Sequence, residues 1–249
     1  MRVAVVGATG VVGQQFVVAL QGHPWFEITK LAASSRSAGL PYENALRDPE
    51  SSSLRWYCRE PPSDEVMGLE VEDAAKLNPK EVDVVYSAVE SSVAKELEPR
   101  YAAEVPVLST ASAYRYEDDV PILLPGVNFE HSLLVGVQQK KRGWKGFIAP
   151  QANCTTVGLA TSLKPILDRF GINQVIMTSL QAVTGAGRVG GVLAMDMLDN
   201  IIPYISGEEE KVEKETLKIL GTMAGDQIIP CDFKISTTCT RVPVVDGHT

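Results

Sequence analysis

The sequence is poor in the residues from which metal sites and disulfide frameworks are made. Its 249 residues include three histidines and four cysteines. Cys58, Cys154, Cys231 and Cys239 show no CxxC spacing, so no metal site is expected and a disulfide-stapled scaffold is not indicated. No apolar run approaches the ~20 residues that cross a bilayer, and the opening MRVAVVGATG enters a strand rather than a leader peptide. A cytoplasmic protein with no membrane partner is therefore expected. Positive charge is scarce too, with 23 Lys and Arg against 31 Asp and Glu, a net charge of -8. That argues against nucleic acid, whose counterions only a cationic surface displaces. An anionic ligand would need a local cluster of donors.

What is present is an ordinary globular composition, 45% hydrophobic and 22% charged, on a chain long enough to bury a sizeable core. Val3–Val6 reads as a strand, followed by a glycine turn and a helix with apolar positions at Val12, Phe16, Ala19 and Leu20. Further strands are expected over Phe26–Ser34, Val82–Val89 and Val105–Thr110, with helical text such as SSVAKELEPRYAAE between them. Alternation of this kind implies an α/β protein with a doubly wound, Rossmann-type parallel sheet. A polar, basic stretch over Gln138–Gly146 marks a change of pattern, which places the domains at 1–150 and 151–249. Beyond it, residues 155–171 read as a helix despite Pro165, NQVIMTSLQAV as a strand and GEEEKVEKETLKILG as a charged amphipathic helix. The stretch from Cys231 onward reads as β-rich.

Two stretches carry chemistry. GATGVVG puts Gly7, Gly10 and Gly13 at a strand-to-helix turn, with Thr9, Val11 and Val12 among them. There a backbone can approach a pyrophosphate at a helix N-terminus; a tight turn without ligand is the alternative. At the end of the second strand, LAASSRSAG has no acid for a ribose hydroxyl. Arg36 among Ser34, Ser35 and Ser37 offers donors for a 2′-phosphate, so NADP is preferred over NAD, and a plain serine-rich loop is the other reading. In APQANCTTV, Cys154 precedes a helix whose dipole would lower a thiol pKa. It is either a buried small residue or a nucleophile. Of the histidines, His23 reads as a turn residue and His131 as a surface residue of the first domain. His248, at a glycine turn after a strand, is the best available proton acceptor.

These motifs together resemble one family. GATGVVG, SSRSAG, SAVESSVAKELE, PQANCTTVGL, LQAVTGAG, DNIIPYISGEEEK and RVPVVDGHT, in this order, are similar to aspartate-semialdehyde dehydrogenase, chiefly its archaeal and fungal branch. The resemblance implies a second, α+β substrate and dimerisation domain, with a mixed sheet and flanking helices. It also implies NADPH-dependent reduction of L-4-aspartyl phosphate to aspartate semialdehyde, on the route to lysine, threonine and methionine, by a homodimer or a dimer of dimers. It assigns the nucleophile to Cys154, the acid/base to His248 and substrate positioning to Gln181. Arg241 falls to the substrate carboxylate, Glu208 and Lys211 to the substrate amine and phosphate, and Arg115 with Asn153 to the phosphate subsite. Ser87, Gly185 and Gly187 fall on loops near the cofactor. Two departures stand out: Arg188 to Gly191 read RVGG where the family has an aromatic and a proline, and relatives continue for about another domain's worth of residues. The chain is thus expected to be part of a longer enzyme. The competing readings are malonyl-CoA reductase, which uses the same thioester chemistry, and a non-catalytic nucleotide-binding fragment.

Overall fold

The computed structural model describes residues 1–187 and 194–249. The RVGG segment lies outside the described residues. Two compact units are formed, 1–120 with 135–151 and 121–134 with 152–249.

The first unit contains β1 (Arg2–Val6), α1 (Val11–Leu20), β2 (Glu27–Ala33), α2 (Tyr42–Ala45), α3 (Asp64–Met67), β3 (Val71–Asp73), β4 (Val84–Ser87), α4 (Ser91–Ala102), β5 (Val107–Ser109), α5 (Leu134–Arg142) and β6 (Ile148–Pro150). Its six strands are all parallel, in the order β3-β2-β1-β4-β5-β6. This is the doubly wound Rossmann arrangement, whose strand order reverses beside β1. Because both faces of such a sheet are covered, β1 is apolar throughout from Val3 to Val6. Alternate residues feed opposite layers. Val3 and Val5 pack with Val17, Leu20, Leu31 and Tyr42, while Ala4 and Val6 pack with Val85, Tyr101, Val107 and Ile148.

The second unit contains α6 (Cys154–Phe170), β7 (Gln174–Gln181), α7 (Ala194–Met197), α8 (Glu208–Ile219), β8 (Thr222–Ala224), β9 (Gln227–Ile229) and β10 (Lys234–Arg241). β7 and β10 run parallel, in register from Gln174 with Lys234 to Gln181 with Arg241. Ile202 bridges Arg241 in the antiparallel sense, and β8 with β9 forms a separate antiparallel hairpin. The pairing is therefore mixed, with α6 packed on α8 and α8 on β10. Pro165 is tolerated inside α6 because it lies on the exposed side, where water can take the carbonyl its ring leaves unpaired. Gly171, at φ 72°, ends the helix.

Residues 121–134, on the N-terminal side of the expected boundary, group with this second unit. Ile122, Leu124 and Val127 pack into one core with Ala160, Ile219, Leu220 and Phe233. His131 is not the surface residue expected: it is fully buried. Its Nδ1 accepts from Asn128 Nδ2 at 3.0 Å and its Nε2 donates to the Gly221 carbonyl at 3.0 Å. Burial holds this imidazole below its ordinary pKa, in the neutral form.

Candidate active site

Cys154 is the first residue of α6, and Asn153 caps the helix. The Asn153 side-chain oxygen accepts from the backbone N–H of Thr155 and Thr156 at 2.9 and 3.3 Å. Its amide nitrogen donates to Glu208 Oε1 at 2.8 Å, and its backbone N–H donates to Glu215 Oε2 at 2.7 Å. Gln181 Nε2 reaches the same Glu208 oxygen at 3.4 Å. A single carboxylate at the start of α8 thus joins the end of β7 to the start of α6. Of the three consecutive glutamates, Glu208 is the buried one, whereas Glu209 turns to the Cys239 amide. Lys211 stands 3.9 Å from Glu208, one turn along the helix.

The thiol itself is not depressed as the helix-dipole argument expected. Cys154 reaches solvent, yet the protein around its sulfur removes enough water to raise the thiol pKa. The Glu208 charge adds to the rise, and hydrogen bonding by Thr155 only partly opposes it. In the absence of substrate the sulfur is protonated at neutral pH.

His248 is held on both sides. Thr249 exchanges two backbone hydrogen bonds with Leu180 at 2.6 and 3.0 Å, and Val244 accepts from Val183 at 2.8 Å. The ring Nδ1 accepts from the Ala182 N–H at 3.1 Å, while Nε2 is buried without a partner among the described residues. Burial and the neighbouring Arg241 charge keep the ring below its usual pKa, with Glu208 opposing. Arg241, buried at the end of β10, donates through Nη1 to the Ala182 carbonyl at 2.7 Å. Gly185 borders both groups: a Cβ there would lie 2.9 Å from Arg241 Nη1 and 3.0 Å from His248 Nε2. Gly187, at φ 68°, has open space where a Cβ would be. The structure therefore gathers Cys154, Asn153, Gln181, Glu208, Lys211, Arg241, His248 and Gly185 in the second unit.

The glycine turn is the first unit's candidate site. Gly7 has φ 81°, and a Cβ there would stand 2.4 Å from the Ala88 carbonyl oxygen, so no other residue fits. Gly13 has no more room, because its Cβ would meet the Gly7 oxygen at 2.1 Å. Gly10 begins α1 without a side-chain cap, and no acid lies in the first turn. The amides of Val11 and Val12 are left for an anion. Gly7 and Ala8 both donate to the Ala32 carbonyl, at 2.8 and 3.1 Å, which sets the turn beside the exposed Ser34–Arg36 segment. Ser87, on the other flank, ends β4. These features suit a dinucleotide with an extra phosphate. Arg115 is buried in this same unit, donating to the Thr110 carbonyl at 3.0 Å.

Residues 2–134 match the semialdehyde dehydrogenase NAD-binding domain, and residues 163–249 match the semialdehyde dehydrogenase dimerisation domain. The aspartate-semialdehyde dehydrogenase of Methanothermobacter thermautotrophicus is 47% identical across 100% of this chain, which covers 69% of that protein. That of Archaeoglobus fulgidus is 46% identical across 99%, again with 69% of it covered. The chain belongs to the aspartate-semialdehyde dehydrogenase family. The crystal structure of the Candida albicans enzyme with NADP shares the fold, with a TM-score of 0.85 at 41% identity over 99% of this chain and 69% of that one.

Four residues of the two sites were not foreseen from the sequence. Glu215, fully buried, holds the amide of Asn153; its spacing of seven from Glu208 puts both on one helix face and was the available signal. Ala182 acts only through its backbone, and no sequence signal marks it. Gln14 and Tyr42 brace the glycine turn. Gln14 donates to the Arg55 carbonyl at 2.8 Å and accepts from the Tyr57 N–H at 2.8 Å, and the Tyr42 hydroxyl donates to the Ala8 carbonyl at 2.6 Å. A glutamine on the buried side of α1 was the clue to the first.

Proposed function

We propose that this chain carries out NADPH-dependent reductive dephosphorylation of L-4-aspartyl phosphate to L-aspartate 4-semialdehyde, through a thioester on Cys154. The observation that carries this reading is the gathering of Cys154, Asn153, Gln181 and His248 around one buried carboxylate, Glu208, with Arg241 beside His248. The sulfur attacks the acyl carbon, the carbon–oxygen bond to phosphate breaks, and a thioester forms. Bound NADPH supplies the hydride that reduces the acyl group. Arg241 grips the substrate α-carboxylate with its fixed fork. Gln181 sets the acyl group over the sulfur, Glu208 receives the substrate amine, and Lys211 and Asn153 serve the phosphate. His248 acts at Nε2, its ring nitrogen without a partner.

The first unit binds the cofactor, with the pyrophosphate at Gly7, Thr9, Gly10, Val11 and Val12 and the 2′-phosphate at Arg36 with Ser34, Ser35 and Ser37. Ser87 would serve the cofactor in this unit, and Gly185 and Gly187 are cofactor-loop candidates of the second. The second unit carries the chemistry and pairs the subunits. The outer face of β7 presents Ile176 and Leu180 at 79% and 42% exposure, an apolar surface suited to a homodimer or a dimer of dimers. The product feeds lysine, threonine and methionine synthesis in the cytoplasm. Absorbance of NADPH tests the reading. Aspartate semialdehyde with phosphate and NADP should raise it, and malonyl-CoA with NADPH should leave it unchanged. Turnover with malonyl-CoA alone would replace this reading with the reductase of CoA esters.

A further inference from the structure

The helix that begins with Cys154 lacks half of its own cap. In a capping box the side chain three positions after the cap residue reaches back to the cap's backbone N–H, a task for glutamate or glutamine. In α6 that position is Thr156, whose short side chain does not reach back and whose hydroxyl is buried without a partner among the described residues. The missing half comes from another helix. Glu215 of α8, 62 residues on, accepts the Asn153 N–H at Oε2, at 2.7 Å. We infer that Glu215 is a positioning residue for the nucleophile: its carboxylate completes the cap of α6 and fixes the Cys154 sulfur against Glu208 and Lys211 of α8.

The placement of Cys154 makes the cap matter. As the first residue of α6 it has no helical turn before it, so its backbone is held only through Asn153. Asn153 is itself gripped at its N–H by Glu215, at its side-chain oxygen by Thr155 and Thr156, at its amide nitrogen by Glu208 and at its carbonyl by the Val157 N–H, at 3.0 Å. The two glutamates differ in what else they face. Glu208 Oε1 also meets Gln181, Lys211 stands near its other oxygen, and on the proposed function it receives the substrate amine, so its hold on Asn153 changes as the site fills. Glu215 lies two turns further along the same face of α8 and is fully buried. Its bond is out of reach of any ligand, and its charge suits a helix N-terminus. One carboxylate of α8 thus serves the substrate while the other keeps the sulfur in register with it.

This inference rests on the proposed function for the role of Cys154, but the bond itself is read without substrate. Amide hydrogen exchange, followed by NMR on the unmodified protein, should show a slow Asn153 N–H although it lies outside the α6 ladder, at the same rate with and without phosphate and NADP. Fast exchange overturns the inference. Glu215→Leu removes the acceptor, whereas Glu215→Gln keeps one at the same reach. With aspartate semialdehyde, phosphate and NADP, Glu215→Leu should lower kcat ~10²-fold, the cost of a misplaced reacting group. KM for aspartate semialdehyde and for NADP should each stay within about twofold, because neither binding site is touched. Glu215→Gln should bring kcat back to within about fivefold of the parent, the difference between a charged and a neutral acceptor. Unchanged kcat in Glu215→Leu, or KM rising in step with the fall in kcat, overturns the positioning role, and so does Glu215→Gln as slow as Glu215→Leu. If Glu215→Leu does not fold, the Asn153 exchange rate and the kcat of Glu215→Gln decide. A protected Asn153 amide in a protein inactive on aspartate semialdehyde would sink the proposed function and leave the Glu215 anchor standing.

Discussion

The glycine turn of the first unit and the polar cluster of the second are both built for anions in a protein whose net charge is -8, and they are built from different material. Around Gly7 to Gly13 the donors are main-chain amides over an apolar strand. Around Cys154 they are side chains satisfied by one another, with Glu208, Glu215 and Asn153 holding α6 and α8 together. Backbone amides do not titrate, so the first arrangement can hold a phosphate but cannot move a proton. The second can, and the pairing of Glu208, Glu215 and Asn153 matters there because each buried polar group left without a partner costs about 1–3 kcal/mol. On the proposed reading, binding and chemistry thus fall to different units for a physical reason.

The most forceful way to separate the two is Cys154→Ala. It should lower kcat by at least ~10⁴-fold, on the scale of nucleophile deletions, while NADPH binding measured by fluorescence stays as it was. A parallel loss of cofactor binding would merge the two sites. Gly185→Ala comes next. Its methyl group would press on Arg241 and His248, and a misplacement of that order costs ~10²-fold in kcat/KM. Unchanged kinetics would mean that the placement of Arg241 and His248 does not matter to turnover.

Arg36→Ala addresses the other side of the comparison with a smaller effect. KM for NADPH should rise about tenfold, the loss of roughly one charge-assisted contact at an exposed site, with NADH kinetics unchanged. An equal effect on both cofactors would place Arg36 elsewhere than at the 2′-phosphate.

The smallest effect is on acid stability, where the units should differ. The folded pKa of His131 is depressed by burial, so below the unfolded value of ~6.5 the unfolded chain takes up the proton first and stability falls with pH. In the first unit, Arg142 holds Asp119 at a pKa of about 2. That contribution is intact above ~4 and fades only as pH drops toward 2. Amide exchange at pH 7.5 and 5.5 should therefore show loss of protection in 121–134 and near Gly221 before the sheet of the first unit responds. Equal loss in both units would remove His131 as the cause.

Much of this was legible from local pattern. The turn at Gly7 is a contiguous motif between a strand and a helix, and α6 could be located from its helical apolar spacing ahead of Gly171, one residue short at its start because Cys154 itself begins it. What was not legible depends on contacts far apart in sequence. Glu208 was one of three equivalent glutamates until tertiary packing set it against Asn153, 55 residues away. The thiol pKa was misjudged because the dipole argument is local, whereas the burial that raises it, with the Glu208 charge behind it, comes from tertiary packing. His131 lies among polar neighbours, in NFEHS, and only the Gly221 carbonyl, 90 residues on, shows it to be a core residue. Ala182 is unreadable in principle, since its backbone acts and its side chain does not.

The central claim, a thioester on Cys154, is tested most directly by intact-protein mass spectrometry. The protein is incubated with aspartate semialdehyde and NADP in the absence of phosphate. Oxidation of the aldehyde should then leave one aspartyl group on the protein, mapped by peptide digestion to Cys154, and phosphate should discharge it. No adduct, or an adduct on Cys58, Cys231 or Cys239, would contradict the account.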